Sequence, residues 1–190
     1  CFPQERKYNM NIISIIVPCF NEEEALPIFY EEVNKVIGSM KDVRAEYIFV
    51  NDGSKDRTLT ILQELSKQDN RVRYLSFSRN FGKEAAMYAG LQHATGDYVT
   101  TMDVDLQDPP YLLKEMYAVL QEGEYDCCAT RSTSRNGYGF VKKTLTKWFY
   151  KIINKLSKVE MVDGARDFRL MTRQLGNSIL EMKEYNRYSK

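Results

Sequence analysis

Two aspartates, Asp103 and Asp105, stand two residues apart directly after a predicted strand at residues 98–102. Side chains at positions i and i+2 of an extended chain point the same way, so the two carboxylates form a half-site of hard oxygen ligands that suits Mg²⁺ or Mn²⁺. Such a cation takes further ligands from water and a diphosphate, and it would neutralise a departing nucleoside diphosphate. The alternative is that both aspartates only end the strand and cap the helix predicted near Pro109. The Asp-x-Asp pattern alone leaves both interpretations open.

Another acidic residue, Asp52, follows a second predicted strand at residues 47–50, in the tight turn Asn51-Asp52-Gly53-Ser54. A carboxylate at that position is able to accept hydrogen bonds from the N–H edge of a nucleobase. The alternative is an aspartate that binds the backbone of its own turn.

A third loop, after the strand predicted at residues 72–77, carries Arg79, Gly82 and Lys83 close to the start of a helix. Cationic side chains and backbone N–H groups at a helix start can bind a phosphate. The alternative is an ordinary solvated basic turn, and the spacing does not separate the two.

The first strand, predicted at residues 12–17, is followed by Glu22, Glu23 and Glu24 and not by a glycine-rich turn. A pyrophosphate at that helix start would meet carboxylates, and no P-loop motif occurs in the sequence. These facts argue against a dinucleotide oxidoreductase and a P-loop NTPase. Asn21, with Glu24 three residues later, predicts a capping box for the first helix.

Strand and helix patterns alternate from residue 12 to about residue 130, ending with a fifth strand at residues 125–129. This order predicts an α/β fold with a mainly parallel sheet and helices on both faces. Ligands bind beyond the carboxyl ends of strands in such sheets, so we expect the loops described above to meet there. Arg131 and Arg135 follow the fifth strand, where they could bind a phosphate.

Composition restricts the class of protein. The chain has 190 residues, of which 43% are apolar and 28% charged, as expected of one folded domain. The net charge of +1 gives no general attraction for nucleic acid. The chain has one histidine, and none of its four cysteines has zinc-finger spacing, which argues against a Cys/His zinc site. No apolar run approaches the roughly 20 residues of a membrane span. We expect residues 1–9 to be a remnant or tag and residues 10–190 to be a single domain.

Several motifs resemble those of family 2 glycosyltransferases. The chain carries IIVPCFNEEE at residues 15–24, which resembles the opening sequence of that family. It also carries VNDGSKD at residues 50–56, which resembles the turn by which the family binds the base. A narrower branch, the polyprenyl-phosphate glycosyltransferases, includes dolichyl-phosphate mannose synthase and the bactoprenol glucosyltransferases. Motifs of this branch are similar to RNFGK at residues 79–83, DVDLQDPP at 103–110 and DGARDFRLM at 163–171 of this chain. The resemblance covers nearly all of residues 12–188.

The resemblance implies a GT-A-type, Rossmann-like fold and an inverting, metal-dependent hexosyltransferase. The expected donor is a nucleotide sugar, with uridine favoured over guanosine as the base. The expected acceptor is a polyprenyl phosphate such as undecaprenyl phosphate, at the cytoplasmic face of the cell membrane during cell-envelope glycan synthesis. By this resemblance, the residues that bind the nucleoside would be Pro18, Phe20, Glu22 and Asp52. Those that hold Mg²⁺ or Mn²⁺ and the diphosphate would be Asp103, Asp105 and Gln107, and Asp167 would be an active-site aspartate. Together with the residues singled out by charge and position, the candidates for diphosphate binding are Arg79, Gly82 and Lys83, and the candidates for catalysis are Asp105, Asp167 and Arg131.

Members of this branch usually continue into hydrophobic transmembrane helices, so we expect these residues to be the catalytic part of a membrane-anchored protein. A helix predicted at residues 140–158 carries an apolar stripe and a lysine stripe. It either lies on an anionic membrane surface or packs on the sheet with its lysines solvated.

The sequence leaves other functions open. The domain could transfer sugar to a saccharide acceptor, or bind a nucleotide sugar without catalysis. A haloacid-dehalogenase-like phosphatase would carry Asp-x-Asp after its first strand, whereas here the motif follows the fourth. The sugar and the oligomeric state, including a homo-oligomer, are not determined by the sequence.

Overall fold

A computed structural model describes residues 10–131 and 165–182, in which runs of β-branched and aromatic residues form a six-stranded sheet. The strands are β1 (Asn11–Cys19), β2 (Val43–Asn51), β3 (Val72–Ser76), β4 (Tyr98–Thr101), β5 (Cys127–Arg131) and β6 (Ala165–Thr172). The helices are α1 (Ala25–Ser39), α2 (Thr58–Gln68), α3 (Lys83–His93), α4 (Leu112–Gln121) and α5 (Arg173–Glu181).

The strands lie in the order β3-β2-β1-β4-β6-β5. β1 pairs in parallel with β2 and β4, and β2 pairs in parallel with β3. β6 is antiparallel to both of its neighbours, β4 and β5. The predicted, mainly parallel sheet is therefore confirmed. β6 was not predicted as a strand from the sequence, because its apolar alternation is short and interrupted by charged residues.

Each face of the sheet buries its own apolar core. Ile13, Ile15 and Val17 of β1 face the core that contains residues of α1, α2 and α4. Ile16 faces the opposite core, which contains residues of α3 and α5. This alternation is the strand periodicity of two residues, and it confirms helices on both faces. Gly90 lets α3 pack closely, since a Cβ there would stand 2.3 Å from Ile16 Cγ2.

Within residues 10–131 and 165–182, no helix is long and apolar enough to cross a bilayer. The predicted helix at residues 140–158, Arg135 and the expected remnant at residues 1–9 lie outside the described residues.

Candidate active site

The loops after β1, β2, β3 and β4 enclose a cavity of about 340 Å³ at the carboxyl edge of the sheet. The site residues predicted from sequence that line it are Pro18, Phe20, Glu22, Asp52, Gly82, Lys83, Asp103 and Asp105. Cys19, Asn80 and Val104 line it as well and were missed, although each lies inside a motif that sequence analysis had singled out. The structure thus brings most of the candidate residues together, and their individual roles stay predictions.

The two aspartates after β4 are held by the apolar residues that alternate with them. Val104 is buried and Leu106 packs against the core beneath α1 and α4. Asp103 and Asp105 are left to line the cavity, as expected for positions i and i+2. The loop turns at Leu106, which adopts a left-handed backbone with φ of 54°. The N–H of Gln107 then donates a hydrogen bond of 3.1 Å to Asp105 Oδ1.

A divalent cation fits this pair of carboxylates only with help from a ligand. Among the described residues, no group of three or more His, Cys, Asp or Glu side chains is arranged to hold a metal ion. Gln107, predicted as the third ligand, is absent from the described lining of the cavity. Mg²⁺ in nucleotide sites commonly takes only one or two carboxylates, together with water and substrate phosphates. Asp103 and Asp105 therefore suit a cation that arrives with a diphosphate.

The cavity carries a concentration of negative charge. The pKa of Glu22 is raised above its ordinary value, first by partial burial and then by repulsion from Asp105, Asp56 and Asp103. Lys83 partly offsets this field, because its Nζ lies 2.8 Å from Asp103 Oδ2. Such a field favours cations and disfavours a bare diphosphate, which again points to joint binding of a cation and a diphosphate.

Asp52 has partners that the sequence did not predict. Its side chain is buried, with 3% exposed, and it accepts hydrogen bonds from the N–H groups of Phe81 at 2.7 Å and Gly82 at 2.9 Å. Gly82 is the N-cap of α3, so Asp52 caps that helix from a neighbouring loop. Asn51 instead serves the turn itself, since its Oδ1 accepts from Ser54 N at 3.1 Å.

The loop after β2 also supports the loop after β3 by direct contact. Gly53 adopts a φ of 70°, and a Cβ on it would stand 2.4 Å from the carbonyl carbon of Arg79. Only glycine fits this approach without displacing the backbone. Arg79 is exposed and stacks on the ring of Phe81 at 4.6 Å, outside the described lining of the cavity. Its predicted contact with a phosphate stays a prediction.

The capping box predicted for α1 is wrong. The residue before α1 is Glu24, while Asn21 adopts a left-handed backbone and its Oδ1 accepts from Lys55 N at 2.9 Å. Glu22 N in turn donates to Thr58 Oγ1 at 2.8 Å. These polar groups therefore tie the loop after β1 to the loop after β2 across the sheet edge, which local spacing could not show.

Two predicted catalytic residues lie on strands whose side chains at these positions fall outside the described residues. Asp167 belongs to β6 and Arg131 ends β5. The backbone register pairs Thr101 with Arg169, so Asp167 follows at the level of Asp103, and it pairs Arg131 with Ala165. The backbone of β6, which was not predicted from the sequence, thus brings Asp167 to the edge where the cavity lies.

Comparison with known proteins agrees with this architecture. The pattern of Glycosyl transferase family 2 matches residues 14–179. Putative glycosyltransferase CsbB of Bacillus subtilis (strain 168) is 44% identical over 181 residues, which cover 94% of this chain and 54% of CsbB. The prophage bactoprenol glucosyl transferase homolog of Escherichia coli (strain K12) is 44% identical over 178 residues, covering 94% of this chain and 58% of that protein. The chain spans roughly half the length of these curated relatives.

Solved structures share the fold at low sequence identity. The mannosyltransferase PcManGT from Pyrobaculum calidifontis, in complex with GDP-Man and Mn²⁺, has a TM-score of 0.61 at 17% identity; the match covers 91% of this chain and 47% of PcManGT. TarS of S. aureus in complex with UDP has a TM-score of 0.58 at 20% identity, and the match covers 88% of this chain and 48% of TarS. These similarities confirm the predicted GT-A-type fold.

Proposed function

The chain belongs to glycosyl transferase family 2, and from this membership we propose that it transfers a sugar from a nucleotide sugar to a polyprenyl phosphate. The observation that carries the proposal is the pairing of Asp103 and Asp105 in the same cavity as Lys83 and Asp52. The relatives named bactoprenol glucosyl transferase support a lipid phosphate as acceptor and cell-envelope synthesis as the setting. Action on such a lipid implies that the whole protein works at the cytoplasmic face of the membrane.

The nucleotide sugar would bind along the cavity, with its base at the β1 and β2 loops and its diphosphate at the β4 loop. Phe20 is 43% exposed although it is a large apolar side chain, and it is available to cover a base or ribose. Asp52 retains accepting capacity, because a carboxylate has about four lone-pair sites and two are used by α3. The diphosphate would meet Lys83 and the N-terminal end of α3.

Asp103 and Asp105 would hold Mg²⁺ or Mn²⁺, and such a cation stabilises the negative charge of a departing nucleoside diphosphate. The acceptor phosphate oxygen attacks the anomeric carbon, the bond from that carbon to the diphosphate oxygen breaks, and the configuration inverts. A phosphate acceptor is already ionised near neutral pH, so the reaction does not depend on a strong general base. Asp167 would position the acceptor, and Arg131 would offset repulsion between the two anionic substrates.

Two measurements test the proposal. Thermal-shift titrations compare UDP- and GDP-sugars with and without Mn²⁺, since a ligand of the native state raises the melting temperature. Radiolabelled sugar transfer then compares a detergent-dispersed polyprenyl phosphate with a soluble saccharide. Transfer to the lipid supports the proposal. Transfer only to the saccharide would show that the acceptor is a saccharide and not a polyprenyl phosphate.

Metal-dependent binding without transfer to either acceptor would identify a non-catalytic nucleotide-sugar-binding domain. Asp105→Asn should lower transfer by roughly 10²–10³ in these assays while the protein stays folded. Asp42→Asn makes the same chemical change at an exposed site outside the described lining of the cavity, and it should leave transfer intact.

A further inference from the structure

Lys83 makes an ion pair with one of the two carboxylates proposed to bind the cation. It is the first residue of α3, and its Nζ lies 2.8 Å from Asp103 Oδ2. The side chains of Lys83 and Asp103 are 38% and 42% exposed, and both line the cavity. The ammonium group therefore stands directly at an oxygen that a divalent cation would use.

The position of Lys83 is electrostatically unfavourable without an anion close to it. The N-terminal end of a helix carries partial positive charge and disfavours a cationic side chain in its first turn. Asp103 provides the compensating anion, while Glu22 and Asp105 add to the negative field around it. A diphosphate at the start of α3 would offer Lys83 a second anionic partner, with stronger charge and more acceptor oxygens.

From this geometry we propose that Lys83 competes with the divalent cation for Asp103, and that a nucleoside diphosphate relieves the competition by drawing the ammonium group to itself. Lys83 is then a positioning residue that makes cation binding and nucleotide binding mutually dependent. The coupling is reciprocal: a nucleotide that displaces Lys83 strengthens cation binding, and the cation strengthens nucleotide binding by the same factor. The inference deepens the proposed function and rests on it for the identity of the ligands.

Hydrogen bonds hold the backbone of the loop just before Lys83, while its side chain is able to change partner. Asp52 binds the N–H groups of Phe81 and Gly82, immediately before Lys83. The four-carbon stem of lysine is flexible, and its ammonium group is a point charge without a fixed donor fork. A change of partner therefore needs only rotation about side-chain bonds and no refolding of the loop.

The test measures the affinity for Mn²⁺ alone, by electron paramagnetic resonance of free Mn²⁺ with the purified chain. Lys83→Met should bind Mn²⁺ roughly three- to tenfold more tightly than the native chain, because a positive charge near the cation is removed in a screened, half-exposed site. Addition of UDP should increase Mn²⁺ affinity by a smaller factor in Lys83→Met than in the native chain. Lys83→Gln repeats the charge removal with a polar side chain, in case the methionine variant is poorly folded.

Three controls separate this role from a structural one. Lys83→Arg keeps the charge and should leave the affinity for Mn²⁺ alone near the native value. Lys67→Met removes a lysine charge from the exposed end of α2 and should change nothing. Asp103→Asn combined with Lys83→Met should lose the gained affinity, since the released carboxylate is gone.

Equal or weaker affinity for Mn²⁺ in both charge-removing variants overturns the inference, and so does an absence of detectable binding in all of them. The measurement involves no sugar transfer. If the native chain transfers no sugar but Lys83→Met binds Mn²⁺ more tightly, the proposed function is refuted and the role of Lys83 stands. If the native chain is active but Lys83→Met shows no increase in Mn²⁺ affinity, the role of Lys83 is refuted and the proposed function stands.

Discussion

Replacement of Asp52 by alanine should destabilise the fold as well as weaken nucleotide binding. The carboxylate is buried and accepts two backbone hydrogen bonds from Phe81 and Gly82, which immediately precede the helix that begins at Lys83. Alanine leaves both N–H groups without this acceptor and removes an anion from the positive end of α3. The loop that lines one wall of the cavity then loses its anchor.

The size of the effect follows from the number and kind of bonds. A hydrogen bond to an ionised group contributes about 1.5–3 kcal/mol. Phe81 is exposed and Gly82 half-buried, so water replaces part of the lost interaction. Two such bonds would contribute about 3–6 kcal/mol if water replaced neither. Because water replaces part of them, we expect Asp52→Ala to lower the free energy of unfolding by about 2–4 kcal/mol, at or below the lower end of that range. For a domain of this size, that corresponds to a melting temperature lower by about 4–16 °C.

Urea unfolding and calorimetric titration with UDP check this prediction. Asp97→Ala is a matched control, because Asp97 is exposed and its side chain accepts one backbone hydrogen bond, from Ile12 N at 2.8 Å. Asp97→Ala should lower the free energy of unfolding by only about 1 kcal/mol, because water replaces most of a single exposed hydrogen bond. If Asp52→Ala unfolds at the same urea concentration as the native chain and only its affinity for UDP falls, then Asp52 acts on the base alone and its capping of α3 is refuted.

Four further predictions concern other parts of the site. Gly53→Ala should cost about 1–3 kcal/mol of stability, because its Cβ would meet the backbone of Arg79 at a φ that disfavours alanine; a native urea midpoint would contradict the close approach. Glu22→Gln should raise the melting temperature near neutral pH. The pKa of Glu22 is raised in the folded state, so its contribution to stability is greatest below the ordinary pKa of glutamate and is lost as the pH rises through the folded-state pKa. The rise in melting temperature caused by glutamine should therefore vanish in acid, and a rise that does not depend on pH would exclude the charge of Glu22 as its cause. Asp105→Asn should lower turnover by roughly 10²–10³ and abolish the sensitivity of UDP binding to EDTA; metal-free turnover at the native rate would refute its role. Arg131→Ala should reduce transfer to the lipid phosphate while UDP binding stays intact, with partial rescue by Arg131→Lys; unchanged transfer would show that Arg131 pairs elsewhere.

The sequence alone was sufficient for the parallel part of the sheet and for most of the residues that line the cavity. Strand and helix periodicities are local properties, and the alternation of the two patterns predicted a mainly parallel sheet with helices on both faces. Because ligands of such sheets bind at the carboxyl ends of the strands, Asp52, Lys83, Asp103 and Asp105 could be assigned to one edge. The cavity that they line lies at that edge.

Only the tertiary structure decided which of these groups bind one another. Asp52 caps α3 instead of its own turn, Asn21 binds Lys55 instead of capping α1, and Lys83 pairs with Asp103 across two strands. The order of strands also could not be read from the chain, since β6 returns between β4 and β5 and brings Asp167 to the edge. Local spacing fixes which way a side chain points along its own element, whereas its partner depends on how distant elements pack, and that is set by the burial of both faces of the sheet.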